Sequence, residues 1–584
     1  MKELKHINKY FYKYRYRLLF GILITICSKI FALFMPRFLG KAITVISKAY
    51  KNEITETVFR ELLTLYILYI IGAAIVTGIF TFLMRQTIIN VSRYIEYDLK
   101  NEVYRQYQNL SLNFYKSNRT GDLMNRISED VTKVRMYCGP AIMYTINTIT
   151  LFVVALIYML SVAPKLTLYT VLPLPVLSFI IYKLSRIINK RSRIVQEYLS
   201  HLSAYTQESF SGISVIKSYG IEASNYDEFN TLSETSKQKQ IDLTKVQALF
   251  FPSMILLIGI SNILVAYIGG MQYINGEIEE IGTIAEFLIY VNMLTWPVAT
   301  VGWVTNLVQQ AEASQKRINE FLKQEPEIKN LNATPSQIDG NIVFDNVTYI
   351  YPDTNIKALD NVSFSLKKGE TLAILGKTGS GKSTILDLIG RLYDVQEGHI
   401  SIDGVKIDQV HLKSLRDHIG YVPQDAFLFS DTIENNIKFG KEDASEEDII
   451  TAAKNADVHK NIKKFSKGYQ TKLGERGITL SGGQKQRISI ARAIIKKPEI
   501  MLFDDCLSAV DTETEEKILK SLREISKGKT TIIVSHRVSS AKDADKIIVL
   551  EDGKIIQDGT HETLVNTDGY YKALYLKQLS TKEL

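Results

Sequence analysis

Nine consecutive residues in the 584-residue chain have the types and spacing for phosphate chemistry: Gly376, Lys377, Thr378, Gly379, Ser380, Gly381, Lys382, Ser383 and Thr384. They follow the apolar run 371–375 (TLAIL) and precede ILDLIG, so the context is strand, loop, helix. The glycines let backbone N–H groups close around a β-phosphate, and the helix N-terminus adds the positive end of its dipole. Lys382 then reaches the β/γ-phosphates and the Ser383 hydroxyl ligates Mg²⁺. A second apolar strand, 500–503, ends in Asp504 and Asp505. The first suits Mg²⁺ held through water, and the second is placed to orient an attacking water. Ser481, Gly482, Gly483 and Gln484 form a turn opening the helix KQRISIARAI, a further anion site. Two phosphate-binding helix starts in one domain make sense when each ATP is sandwiched between the loop of one domain and the turn of another. The motif therefore implies a dimer.

These residues lie in the charged, Gly-punctuated C-terminal part, while the N-terminal part is built for lipid. A span needs about 20 apolar residues at 1.5 Å each. Residues 62–84 and 141–163 carry no formal charge, nor do 246–274; the stretch 166–182 is shorter and interrupted by Pro173 and Pro175. Two less pure candidates are 18–46, with Lys29, Arg37 and Lys41, and 281–311, with Glu286. Six spans are expected. Segments 85–139 and 186–245 hold nine and eight Lys/Arg, and residues 1–17 six more, whereas the intervening loops are poorer. The positive-inside bias then places both termini and the nucleotide domain in the cytoplasm. The net charge of +8 reads as this topology signal, with no nucleic-acid partner. The composition excludes disordered, collagen-like and disulfide-scaffold chains, and Cys27, Cys138 and Cys506 have no metal-ligand spacing.

The fold class expected is an α-helical six-span transmembrane domain with long cytoplasmic helical extensions, followed by an α/β P-loop nucleotide-binding domain. The boundaries are 1–320, a linker 321–340, and 341–584. Residues 85–139 and 186–245 are too long for slack connections, so helices run on past the bilayer and turn at tips near 111–121 and 209–220.

With these residues in order, the chain resembles an ABC exporter half-transporter along essentially its whole length. The resemblance implies that Tyr351 (YIYP) stacks on adenine and that Gln424 (YVPQD) senses Mg²⁺ and the membrane domain. Residues 480–484 would be the signature, Asp504 the Mg²⁺ aspartate, and 508–511 a loop whose Asp511 crosses the dimer interface. His536 (IIVSHR) would contact the γ-phosphate. Gly474-Glu475-Arg476-Gly477 resembles the exporter segment touching the intracellular loops, and 114–131 and 211–222 resemble the two coupling regions. Function follows as ATP-driven export of lipophilic or amphipathic compounds from the cell by alternating access across the plasma membrane, with ATP and Mg²⁺ as cofactors. The alternatives are a low-turnover nucleotide-gated regulator or sensor, and a peptide exporter.

One departure bears on mechanism. Where this family usually has Glu after the Mg²⁺ aspartate, this chain has Asp505. A carboxylate drawn back by one methylene, about 1.5 Å, should hydrolyse ATP slowly. That resembles the degenerate-site subunit of heterodimeric bacterial exporters, so the expected partner is a second, different half-transporter rather than a second copy. For the cargo path the sequence offers Lys29, Trp296 and Trp303, with Glu286 at a different depth from Lys29 and so no partner for it.

Overall fold

The computed structural model describes residues 2–330, 332, 334–474, 477, 480–507 and 512–580, without the side chains of 174, 177, 178, 296, 298, 299 and 512. The chain divides into two compact units, 1–108 with 121–324, and 109–120 with 325–584.

The first unit is helical. Five helices among the described residues are long and apolar enough to cross a membrane: Arg15–Tyr50, Glu56–Asn109, Thr120–Val162, Glu222–Ile274 and Gly282–Leu322. The remaining expected span is divided into Pro164–Val171 and Pro173–Ser211. Pro173 has no N–H to continue the preceding ladder and starts the next helix instead. The helices extend well beyond their apolar stretches, as Asn90–Asn109 and Glu222–Gln247 do. Val91, Ile95, Leu99 and Val103 form the buried stripe of the first of these, at helical spacing.

Small residues let two spans touch. A Cβ on Gly282 would meet the Gly40 carbonyl oxygen at 1.8 Å, and the Gly282 N–H donates to Thr44 Oγ1 at 3.2 Å. Close backbone approach of this kind is how helices associate in lipid, where no hydrophobic effect drives them together. One turn on, Glu286 is buried and accepts from the Tyr290 hydroxyl at 2.8 Å. Tyr290 packs edge-on against Tyr158, whose ring lies under the Arg37 guanidinium at 5.6 Å. Glu286 is therefore spoken for by Tyr290 on its own helix and by Tyr158 on a neighbouring one.

The second unit is an α/β domain with two sheets. One is antiparallel, in the order β2 (Lys357–Leu366), β1 (Ile342–Ile350), β4 (Glu397–Ile402), β5 (Val405–Lys406). The other has the order β10 (Lys554–Gly559), β9 (Lys546–Glu551), β3 (Thr371–Gly376), β8 (Thr530–Val534), β7 (Ile500–Asp504), β6 (Ile419–Val422). Strands β9, β3, β8, β7 and β6 are mutually parallel. Their near-continuous apolar runs are buried on both faces, as parallel sheets require.

Candidate functional site

Parallel strands deliver their C-terminal ends to one edge, where ligands of open α/β sheets bind. In sheet order β3, β8, β7, β6, those ends carry the Gly376–Thr384 loop, then Ser535-His536, then Asp504-Asp505, then Gln424. The registers Ile374↔Val534, Asp504↔Val534 and Val422↔Phe503 align the four ends. Residues spread over 160 positions are thereby brought to one rim.

The loop is formed by backbone geometry that only glycine tolerates. Gly376 has φ +150° and a Cβ there would sit 2.3 Å from the Leu550 carbonyl oxygen; Gly381 has φ +98° and its Cβ would meet the Ala358 carbonyl oxygen at 2.2 Å. The helix Lys382–Ile389 follows directly. Lys382 is buried, and its ammonium donates to the carbonyls of Gly376 at 3.0 Å and Lys377 at 2.7 Å. Burial lowers the Lys382 pKa, with the Asp505 and Asp504 charges opposing it. The loop thus wraps a cation at the mouth of the helix.

Ser383 Oγ donates to Asp504 Oδ1 at 3.0 Å. Burial raises the Asp504 pKa against that hydrogen bond. A hydroxyl and a carboxylate oxygen this close form a hard-oxygen pair suited to Mg²⁺, which keeps several waters and takes phosphate oxygens. No group of three or more His, Cys, Asp or Glu capable of holding a metal occurs among the described residues, so the remaining ligands would come from phosphate and water. Asp505 is buried in a left-handed conformation, φ +41°, with its N–H donating to the Val534 carbonyl at 2.9 Å. The hydrogen bond that fixes this backbone comes from the neighbouring strand.

Tyr351 follows β1, half-buried, with its hydroxyl 3.0 Å from Thr384 Oγ1. The Gln424 carbonyl accepts from Gln486 Nε2 at 3.1 Å, which ties β6 to the helix Gly482–Ile494. At the start of that helix Ser481 and Gln484 form a reciprocal capping box. The His536 carbonyl accepts from Gln578 Nε2 at 3.0 Å, and Gln578 Oε1 accepts from the Val538 N–H at 2.8 Å. Asp511 with 508–510, and Glu475 with Arg476, lie outside the described residues, as does the Trp296 side chain.

Two residues at this rim have no motif to announce them. Lys116, on the short helix Leu112–Ser117, places its ammonium 4.5 Å from the Tyr351 ring centroid and 4.8 Å from that of Tyr393. Asn113 of the same helix donates to Glu327 Oε2 at 2.8 Å. Only the exporter resemblance of 114–131 hinted at this. The second is Asp387, one turn beyond Ser383, which accepts from the Tyr421 hydroxyl at 3.3 Å. Burial, reinforced by the Asp504 charge, pushes its carboxyl up to about 6. The folded state therefore binds this proton more tightly than the unfolded chain, and ionisation opposes folding increasingly as pH rises from about 4 through about 6. Asp387→Asn should raise the nucleotide-free melting midpoint by about 2–4 °C above neutral pH, with the gain vanishing near pH 4. A shift independent of pH would refute the assignment.

In the first unit, Thr148, Phe152, Ile181, Arg186, Asn306 and Gln309 are among the residues lining a cavity of about 720 Å³. Neither Lys29 nor Trp303, which the sequence offers for the cargo path, lines it. Trp303 instead packs edge-on against Tyr144 at 5.2 Å. Counting residues along a helix gives depth, but not which way a side chain faces.

Comparison with known proteins agrees with this geometry. A family model described as "ABC transporter transmembrane region" matches residues 18–298, and one described as "ABC transporter" matches 359–508. The probable multidrug resistance ABC transporter ATP-binding/permease protein YheI of Bacillus subtilis (strain 168) is 34% identical over 98% of this chain and 97% of its own. The chain belongs to the ABC transporters. The multidrug resistance-like ATP-binding protein MdlA of Escherichia coli (strain K12) is 36% identical over 86% of each chain. A solved structure, that of a bacterial Atm1-family ABC exporter with ATP bound, superposes with TM-score 0.78 at 27% identity over 97% of this chain and 98% of its own. This ABC transporter is an ATP-driven exporter, a multi-pass membrane protein with a nucleotide-binding ATPase domain. ABC exporters work as dimers of such half-transporters.

Proposed function

We propose that the protein exports lipophilic or amphipathic compounds as one half of a heterodimer, with both termini and the nucleotide domain on the cytoplasmic side of the plasma membrane. The observation that carries the nucleotide half of this reading is the convergence of four strand ends on one rim. There Gly376–Thr384 cradles the phosphates, Lys382 neutralises the β/γ oxygens, and Ser383 with Asp504 holds Mg²⁺, with Gln424 nearby. Tyr351 stacks on the base, Asp505 orients water and His536 contacts the γ-phosphate. The exposed Ser481–Gln484 turn, with Asp511, meets the ATP held by the partner. Two nucleotides favour the closed pair of domains, hydrolysis releases it, and the spans alternate their access.

Lys116 supports coupling of this cycle to the membrane half, because a residue of the first cytoplasmic hairpin rests on the base-stacking ring. Lys116→Ala should weaken ATP binding a few-fold, the size of a partly desolvated cation–π contact of about 1 kcal/mol. Binding of inorganic tripolyphosphate, which has no base, should be unchanged, and an equal loss for both ligands would defeat the link.

The cargo reading rests on the cavity. Its size suits a drug-sized ligand, with apolar walls at Ile149, Phe152, Val153 and Val301 and a polar end at Arg186, Asn189, Asn306 and Gln309. Relatives whose names contain multidrug resistance point the same way. Replacing Asn306 and Gln309 together by Leu should lower apparent affinity for an amphipathic dye by about tenfold, two lost hydrogen bonds' worth, with basal ATPase near normal. The decisive experiment is ATP-dependent, vanadate-sensitive dye uptake into inverted vesicles. No uptake with intact nucleotide-dependent conformational change would favour the regulator instead.

A further inference from the structure

Residues 1–17 hold six Lys/Arg and one acid, Glu3, and four of these cations fall into two kinds. Lys9 donates to Glu102 at 2.5 Å and Lys13 to Asp98 at 2.6 Å, and Tyr10 and Tyr14 reach the same two carboxylates. The N-terminal helix is thus clamped to Asn90–Asn109 by paired charges. Arg15 and Arg17 are held differently. The Arg15 guanidinium lies 4.1 Å from the Tyr12 centroid and 4.8 Å from that of Tyr16, with one N–H toward the Tyr16 hydroxyl at 3.3 Å. The Arg17 guanidinium lies 5.2 Å from the Tyr94 centroid, and Tyr94 is stacked on Tyr14. Among the described residues neither arginine is within ion-pair distance of a carboxylate.

Stacking uses the faces of a guanidinium, so that apart from the Arg15 N–H on the Tyr16 hydroxyl the in-plane donors suit a forked acceptor such as phosphate. Immediately beyond, Leu19, Phe20 and Leu23 are each more than half exposed at the start of the first span, preceded by the exposed Tyr12 and Tyr16. From Arg15 to Leu23, arginines interleaved with tyrosines give way to an apolar surface within about 12 Å along the helix. That order matches a molecule with an anionic head and acyl tails, and free phosphate would leave the apolar surface unused.

We propose that Arg15 and Arg17, on their tyrosine platform, bind the phosphate of an anionic phospholipid at the cytoplasmic edge of the first span. The site rests on the proposed topology but on neither cargo nor partner, so its failure would leave the cargo and partner readings intact. The test is native mass spectrometry of the full-length protein released from nanodiscs of equimolar phosphatidylglycerol and phosphatidylcholine. Retention should favour phosphatidylglycerol by about 25-fold, given roughly fivefold for each of the two basic residues near an anionic surface. Arg15→Gln with Arg17→Gln should abolish that preference. Tyr12→Ala with Tyr16→Ala should reduce it while keeping every charge, and Lys2→Gln with Lys5→Gln should leave it in place. The proposal falls if the arginine pair retains phosphatidylglycerol as the parent does. It falls equally if the Lys2/Lys5 pair loses as much, which would indicate diffuse charge, or if soluble glycerophosphate displaces the lipid.

Discussion

Lys382→Ala should abolish ATP binding at this chain's own loop, lowering affinity by about a hundredfold or more, since hydrogen bonds to charged groups contribute about 1.5–3 kcal/mol each and one ammonium serves several phosphate oxygens. The nucleotide-free protein should melt at or slightly above the parent temperature. The reason is that Lys382 is buried at 6% exposure with only two carbonyls as hydrogen-bond acceptors. Its folded pKa lies below the ordinary lysine value, so the charged form is disfavoured by folding, and this penalty eases only as pH rises through that lowered pKa toward the ordinary one. At neutral pH the side chain is kept for function at some expense of stability. Thermal shift with and without ATP separates the two effects. Parental midpoint with no ATP-induced rise is expected, and an undiminished rise would mean that the triphosphate does not depend on this ammonium.

How much of this was legible differs from residue to residue. The phosphate loop was readable because its glycines answer a backbone demand that the sequence displays: nothing else can occupy φ +98° at Gly381 against the Ala358 carbonyl. Asp504 was readable for the same local reason, an acid ending an apolar strand. The placement of Gln424 and His536 beside them depends on sheet order, β3-β8-β7-β6, which is a long-range property; family resemblance suggested their roles where periodicity could not. The segment 109–120 reads as part of the membrane half, yet it groups with the nucleotide unit and carries Lys116. A lone lysine among many has no spacing to mark it. In the spans, hydropathy located the helices and Pro173 marked the break. Azimuth was not legible, because an almost uniformly apolar helix has no polar face to orient it. Lys29 therefore lies off the cavity, and Glu286 has a partner one helical turn away in Tyr290.

Asp505→Glu should raise the ATPase of the purified chain by about ten- to a hundredfold, the range that a 1 Å correction in a reacting group commands. An Asp can substitute for Glu when its backbone moves forward to make up the missing methylene. Here it cannot, because the Asp505 N–H is tied to the Val534 carbonyl at 2.9 Å, in register with the strand between the loop and Asp504. The carboxylate is short and its root is fixed. The left-handed φ of +41° adds a second consequence. Asp occupies that region more readily than Glu, so the gain in turnover should come with a small loss of thermal stability, about 1 kcal/mol or less. The same variant tests the assembly. In a heterodimer whose partner carries Glu, most turnover passes through the partner's loop and this chain's Ser481–Gln484 turn. Asp505→Ala should then leave the complex near parental activity, while Ser481→Arg on the same chain should silence it. A homodimer makes the opposite forecast, with slow parental turnover that Asp505→Ala eliminates. Should Asp505→Glu leave the rate unchanged in the purified chain, the shorter carboxylate already reaches its water, and the argument for a different partner loses its structural ground.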